Sequence, residues 1–206
     1  DYVVGLDIGT SKVVCIIGKY VDQHSIEVIA MGSYPSSGLK KGVVVNIDAT
    51  TDAIQKSIDQ AQGSFEGKIK NVYVGIAGNH IRSLNSHGIV GIKDKEVEAS
   101  DIDRVIEAAQ AVAIPSDQRV LHVLPQEYVI DNQDSIREPL GMSGVRLESH
   151  VHLVTCANNA IQNIEKCVKR CGIGVDGFVL EQLASSYSVL SEDEKELGVC
   201  LVDIGG

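Results

Sequence analysis

One phrase occurs at both ends of this sequence, and it constrains the fold more than any other feature. Near the start, Gly5-Leu6-Asp7-Ile8-Gly9-Thr10-Ser11-Lys12 carries an apolar run into an aspartate and a glycine turn. At the end, Cys200-Leu201-Val202-Asp203-Ile204-Gly205-Gly206 repeats that order. Glycine at position 9 lets backbone approach an anion with no Cβ in the way. The amides of residues 9–12 and the hydroxyls of Thr10 and Ser11 can then hold phosphate oxygens, and Lys12 can offset their charge. Asp7 has the wrong sign for phosphate. It suits a magnesium ion that keeps part of its water. Asp203, Gly205 and Gly206 would build a second turn of the same kind. Two such turns can clamp one phosphate chain and one metal from opposite sides, and in phosphoryl transfer two carboxylates position metal and water. A plain hairpin with an incidental Asp-Ile-Gly-Thr-Ser turn is the alternative. Neither the P-loop pattern nor the GxGxxG dinucleotide fingerprint is present. Glu181 opens a predicted helix between the two turns. It can orient a metal-bound or attacking water, or simply favour the helix dipole as an N-terminal acid.

Composition narrows the partners. With 28 acidic and 18 basic residues the net charge is −10, which argues against nonspecific binding of nucleic acid. Lys166, Lys169 and Arg170 form a basic cluster at helical spacing, read as an ordinary solvated face. Five cysteines, at 15, 156, 167, 171 and 200, lie in apolar or amphipathic runs without a CxxC pair. They are expected to be packed free thiols in a reducing compartment. The histidines at 24, 80, 87, 122, 150 and 152 make no zinc pattern with them. No apolar run reaches the roughly 18 residues of a membrane span, and no signal peptide opens the chain. Any membrane attachment is therefore expected outside this sequence or through a partner.

The pattern along the chain predicts strands at Tyr2–Ile8, Lys12–Tyr20 and Ser25–Tyr34, the first two joined as a hairpin. The run Val13-Val14-Cys15-Ile16-Ile17 predicts a strand covered on both faces. Residues 35–48 read as a loop, with Asp48 as the N-cap of a helix that packs through Ile54, Ile58 and Ala61. Val72–Ala77 reads as a strand. From about residue 83 a second region begins, with a short strand over residues 88–92 and a helix opened by a Ser100–Asp103 capping box. Strands at Val120–Ile130 and Val145–Cys156 flank a polar loop, and His122, His150 and His152 are expected on the sheet surface. A helix through Ile161, Ile164, Val168 and Cys171 stops at Gly172. Val175–Leu180 is a strand. Residues 181–190 form a helix packing through Leu183, Ala184, Tyr187 and Leu190, residues 192–196 a charged turn, and Val199–Ile204 a last strand. This order predicts a mixed α/β sheet layered with helices.

The two Asp-Ile-Gly turns resemble the first and second phosphate motifs of the actin, Hsp70 and sugar-kinase superfamily. Residues 181–190 resemble its connecting helix, with Glu181 where the superfamily carries a water-orienting Glu or Gln. Within it, His122-Val123-Leu124-Pro125-Gln126-Glu127-Tyr128, Pro139-Leu140-Gly141-Met142-Ser143-Gly144-Val145-Arg146 and Leu183-Ala184-Ser185-Ser186-Tyr187 are similar to the FtsA family of bacterial cell-division proteins. The resemblance covers essentially the whole chain.

That resemblance implies an α/β fold: an actin-like (ribonuclease H-like) mixed sheet with flanking helices plus a small inserted α+β subdomain. Residues 1–82 and 160–197 would form the core, called 1A. Residues 83–159 would form the insert, called 1C, and 198–206 the start of a second large domain. The likeness implies ATP and Mg2+ as cofactors. Asp7 and Asp203 are then the metal-holding carboxylates, and Gly9, Thr10, Ser11, Lys12, Asp203, Gly205 and Gly206 line the nucleotide, with Glu181 and Asp203 in catalytic roles. It implies self-association into filaments, a link from the C-terminal tail of FtsZ to the inner membrane at midcell, and recruitment of later division proteins through the insert. The FtsZ contact and a membrane-binding amphipathic helix belong to the family's second half. The sequence is expected to be the N-terminal half, inactive alone, of at most a weak ATPase that sits peripherally on the cytoplasmic membrane face. A pilus-assembly-type actin-like scaffold binding a membrane-protein tail is the runner-up. A small-molecule kinase or phosphatase would need a substrate acid or base that the sequence does not offer.

Overall fold

The computed structural model describes residues 2–23 and 25–205. In chain order the elements are β1 (Tyr2–Ile8), β2 (Lys12–Tyr20), β3 (Ile26–Pro35), β4 (Leu39–Lys40), β5 (Val43–Val44), α1 (Ile47–Gln62), β6 (Asn71–Ile76), β7 (Arg82–Gly91), α2 (Ala99–Gln110), β8 (Gln118–Ile130), β9 (Gln133–Ile136), β10 (Arg146–Ala157), α3 (Asn158–Arg170), β11 (Gly174–Leu180), α4 (Glu181–Val189) and α5 (Glu192–Leu197). They form two compact units, Asp1–His80 with Asn158–Gly206, and Ile81–Ala157.

The first unit is built on a five-stranded sheet in the order β11-β6-β1-β2-β3. β1, β2 and β3 are an antiparallel meander. β6 joins β1 in parallel and β11 joins β6 in parallel. It is a mixed α/β sheet with flanking helices. Period-two alternation puts Val4, Leu6 and Ile8 of β1, Val13, Cys15 and Ile17 of β2, and Val72, Val74 and Ile76 of β6 into the core. α1 contributes Ala53, Ile54, Ile58 and Ala61 to the same core, and α3 contributes Ile161, Ile164 and Val168. α1 lies close on β3, because a Cβ on Gly32 would stand 1.9 Å from the Ser57 carbonyl oxygen.

Several sequence expectations need correction here. β2 is covered on one face only: Ile16 and its neighbour Met31 on β3 are exposed. An unbroken apolar run cannot report which face lacks a layer. Asn46, not Asp48, caps α1, its side chain accepting from the Ala49 amide at 2.9 Å. Asp48 sits in the first turn and pairs with Arg170 at 2.8 Å. The loop over 35–48 holds the β4–β5 hairpin. Residues 192–196 are helix, capped by Ser191 with Glu194 in a capping box. Val199–Ile204 is not a strand, since a strand exists by pairing and no sheet neighbour is available to it among the described residues. Cys200 is accordingly exposed, while Cys15, Cys156 and Cys167 are buried and Cys171 is half-buried. No residue of α4 is fully buried: Glu181 and Leu183 are half-buried, and Ala184 and Tyr187 lie open. The predicted turn at 22–25 includes His24, which lies outside the described residues.

The second unit is an antiparallel sheet in the order β7-β10-β8-β9 with α2 packed against it. Ile92, Val97, Val105, Ile130, Ile136 and Leu147 form one apolar cluster, and Ala109, Val151 and Leu153 another. β7 runs Arg82–Gly91, well before the expected start at Gly88. β9 lies inside the stretch expected as loop. The α2 capping box is Glu98 with Asp101, two residues earlier than Ser100 with Asp103. Asp101 is buried and bonds both the Glu98 amide and Arg104. His150 stacks on His87 across β10 and β7 with ring centroids 5.7 Å apart, and His152 Nδ1 meets Asn85 Oδ1 at 2.7 Å. His122 lies on β8 opposite Val154.

Candidate functional site

Three parallel strands of the first unit end at one sheet edge. β1 delivers Asp7 and the turn after it. β6 delivers Gly75, and β11 runs straight into α4, which begins at Glu181. Crevices at the carboxyl ends of parallel strands are where α/β sheets bind ligands. Gly75 leaves the space that Glu181 needs, since a Cβ there would stand 3.0 Å from Glu181 Cγ.

The edge opens into a cavity of about 780 Å³. Asp7, Gly9, Thr10, Ser11, Lys12, Glu181, Asp203 and Gly205 all line it. Gly206, the remaining predicted residue, lies outside the described residues. Asp203 reaches the cavity although its segment is not a strand. Sequence reasoning missed Lys41, Gly42, Tyr73, Gly75, Gly78 and Asn79 on the same wall. Glycines at 42, 75 and 78 were the one available signal, because backbone crowding leaves a glycine where a motif does not.

Gly9 acts differently from the expectation. Its amide donates to the Lys12 carbonyl at 3.0 Å and so closes the turn. A Cβ at position 9 would stand 2.9 Å from that same oxygen. The glycine is there for the tight turn, and its own amide is not available to an anion.

The electrostatics are dominated by carboxylates. Glu181 is pushed up to about 7, first by burial and then by the charge of Asp7, to which it donates a hydrogen bond; Asp203 adds to the shift. Burial also raises Asp7, partly offset by the Glu181 hydrogen bond and by Lys12, while Asp203 opposes it again. Burial and mutual repulsion thus disfavour the ionised forms of Asp7 and Glu181 together. A divalent cation is the group that removes this frustration. Among the described residues no three carboxylate, imidazole or thiolate groups close into a metal cage. Magnesium, which keeps several waters and takes further oxygens from phosphate, fits a site of one or two carboxylates.

This geometry can be set beside known proteins. Residues 78–155 match the family described as "SHS2 domain inserted in FTSA". Over 204 residues the chain is 68 % identical to cell division protein FtsA of Pseudomonas aeruginosa, covering 99 % of this chain and 49 % of that protein. It is 47 % identical to cell division protein FtsA of Escherichia coli over the same shares of the two chains.

The chain belongs to the FtsA family.

It spans about half the length of the curated FtsA relatives it matches. The SHS2 match coincides with the second compact unit of this FtsA-family chain. A solved "PilM-PilN type IV pilus biogenesis complex" superposes with a TM-score of 0.63 at 13 % identity, over 90 % of this chain and 49 % of that one. At that identity the likeness concerns the fold, which is actin-like, and it does not favour the pilus-scaffold reading. No helix among the described residues is long and apolar enough to cross a membrane.

The raised Glu181 makes a stability prediction. The folded state binds a proton that the unfolded chain, at the ordinary value of 4.5, has already lost. Stability from this group is complete below about pH 4.5 and declines as pH rises through about 7. Glu181→Gln keeps the hydrogen bond and removes the repelling charge. In the nucleotide-free FtsA-family protein it should raise the thermal midpoint at pH 8 by a few degrees, leave it nearly unchanged at pH 5, and flatten the profile between. A larger gain at pH 5 than at pH 8 would contradict the assignment.

Proposed function

We propose that this chain is the nucleotide-handling part of a cell-division adaptor that binds ATP with magnesium, polymerises as actin does and couples FtsZ to the membrane. The observation that carries the reading is the convergence of Asp7, Glu181 and Asp203 with the Thr10-Ser11-Lys12 turn on one cavity. The Thr10 and Ser11 amides and hydroxyls hold phosphate oxygens. Lys12 offsets their charge. Asp7 and Asp203 would hold the cation. Magnesium ATP, when bound, would supply the electrophilic phosphoryl group and positive charge that favours the ionised forms of Asp7 and Glu181. Glu181 then orients a water and can take one proton at its carboxyl oxygen. Hydrolysis is at most weak, and nucleotide serves chiefly as a conformational ligand.

Under this reading residues 1–82 and 160–197 are subdomain 1A, residues 83–159 are insert 1C, and residues 198–206 begin a second large domain. The FtsZ C-terminal tail and the inner membrane are contacted by parts of the full-length protein outside this chain, on the cytoplasmic face at midcell. The insert contributes filament contacts and recruits later division proteins. The test uses the full-length protein. It should sediment as filaments with magnesium ATP but not with EDTA, and should retain an immobilised FtsZ C-terminal tail peptide. Failure to do either overturns the proposal.

A further inference from the structure

A second lysine lines the cavity from an element that the nucleotide reading has not used. Lys41 and Gly42 are the two central residues of the β4–β5 hairpin, whose strands pair Leu39 with Val44 and Lys40 with Val43. Their φ angles are 52° and 76°, so the loop is a type I′ turn. Such a turn normally takes asparagine, aspartate or glycine at its first central position, because those residues tolerate the left-handed region. A lysine is locally disfavoured there. Non-glycine residues held in that region persist where their surroundings over-determine them, and they gather at ligand clamps.

The surroundings of this turn are backbone on backbone. A Cβ at Gly42 would stand 2.5 Å from the Ala77 carbonyl oxygen and 2.7 Å from Gly78 Cα. A Cβ at Gly78, whose φ is +130°, would stand 2.9 Å from the Lys41 carbonyl oxygen. The turn is thereby pinned to the segment that follows β6. At its base the Val45 and Asn46 amides both donate to the Gly38 carbonyl, at 2.8 and 3.1 Å. Lys41, Gly42 and Gly78 share the cavity wall with Asp7 and Lys12. A lysine reaches phosphate as a point charge on a flexible stem, so a rigid backbone at its root is what aims it.

We propose that Lys41 is a second phosphate-binding cation, carried to the polyphosphate of a nucleoside triphosphate by the rigid β4–β5 turn. The inference rests on the nucleotide reading above and deepens it. Three carboxylates surround the cavity, and Lys12 and Lys41 are the two lysines on its described wall. Lys12 arrives from the β1–β2 turn and Lys41 from the β4–β5 turn, so the phosphate chain is met by positive charge from two separate elements.

Lys41→Gly is the informative variant, because glycine suits the left-handed backbone better, so the charged side chain is removed without straining the turn. In the full-length protein it should keep or raise the thermal midpoint. It should weaken magnesium ATP binding about 10-fold and make the affinity less sensitive to salt. Lys41→Arg should hold affinity within about threefold, since it retains the charge. A Lys41→Gly protein that binds magnesium ATP as tightly as the parent overturns the inference, whatever its stability. Asp7→Ala, measured beside it, separates the two ways of failing. If Asp7→Ala loses ATP and Lys41→Gly does not, only the role of Lys41 falls. If neither loses it, the nucleotide site falls as well.

Discussion

Asp7→Ala should lower the magnesium-dependent affinity of the full-length protein for ATP about 100-fold or more, equivalent to about 2.7 kcal/mol. The size follows from the position of the carboxylate. Asp7 ends a strand whose Val4, Leu6 and Ile8 are locked in the core, so its Cα cannot drift to compensate. It also shares the cavity wall with Glu181, Lys12 and Asp203 and interacts with each. Its loss removes a cation-facing oxygen pair and lets Glu181 relax from about 7 toward its ordinary value. Folding should not suffer. The nucleotide-free variant should be at least as stable as the parent above pH 7, because a like-charge contact with Glu181 has gone. Calorimetric ATP titrations with and without magnesium check the first half, and thermal melts at pH 8 check the second. Full retention of magnesium-dependent binding sinks the site. A large loss of fold with the loss of binding would make Asp7 a structural residue.

Gly88→Ala should destabilise the second unit by about 3 kcal/mol, and Gly88→Val by more. A Cβ at residue 88 would stand 2.2 Å from the Val105 carbonyl oxygen and 2.6 Å from the Ala109 amide nitrogen. Both belong to the backbone of α2, which cannot yield as a side-chain tip can. Val105 and Ala109 are themselves fully buried, so lifting the helix would open both apolar clusters of this unit at once. Dispersion is lost on every residue that the gap exposes. Gly91, on the same strand, has open space where its Cβ would go, so Gly91→Ala serves as the control and should cost far less. Urea denaturation of the two variants reads the difference. Equal costs would mean that α2 does not rest on Gly88.

Much of the first unit was legible because its signals are short-range. β1, β2 and β6 bury every second residue, and α3 separates Ile161, Ile164 and Val168 from Gln162, Lys166 and Lys169 by spacing alone. The helix caps were harder. Asn46 and Asp48 are both good capping residues, and only the backbone conformation, extended at Asn46, tells which one is outside the helix. The same ambiguity displaced the α2 capping box from Glu98 to Ser100. The 199–204 segment misled for a different reason. It has the composition of a strand, but composition does not supply the neighbour that a strand needs.

The chemistry divides along the same line. Residue order alone determined that two acidic turns open on glycine, that Glu181 begins a helix, and that the FtsA-like runs lie between them. These are properties of neighbours in the chain, written in spacing and side-chain type. Tertiary structure decided that Asp7, Glu181 and Asp203 meet on one cavity, that the Gly9 amide is spent on its own turn, and that Lys41 shares the wall with Lys12. The parallel addition of β6 and β11 brings these groups together from distant parts of the chain. Distances between such residues are set by strand pairing and helix packing. No local pattern carries them.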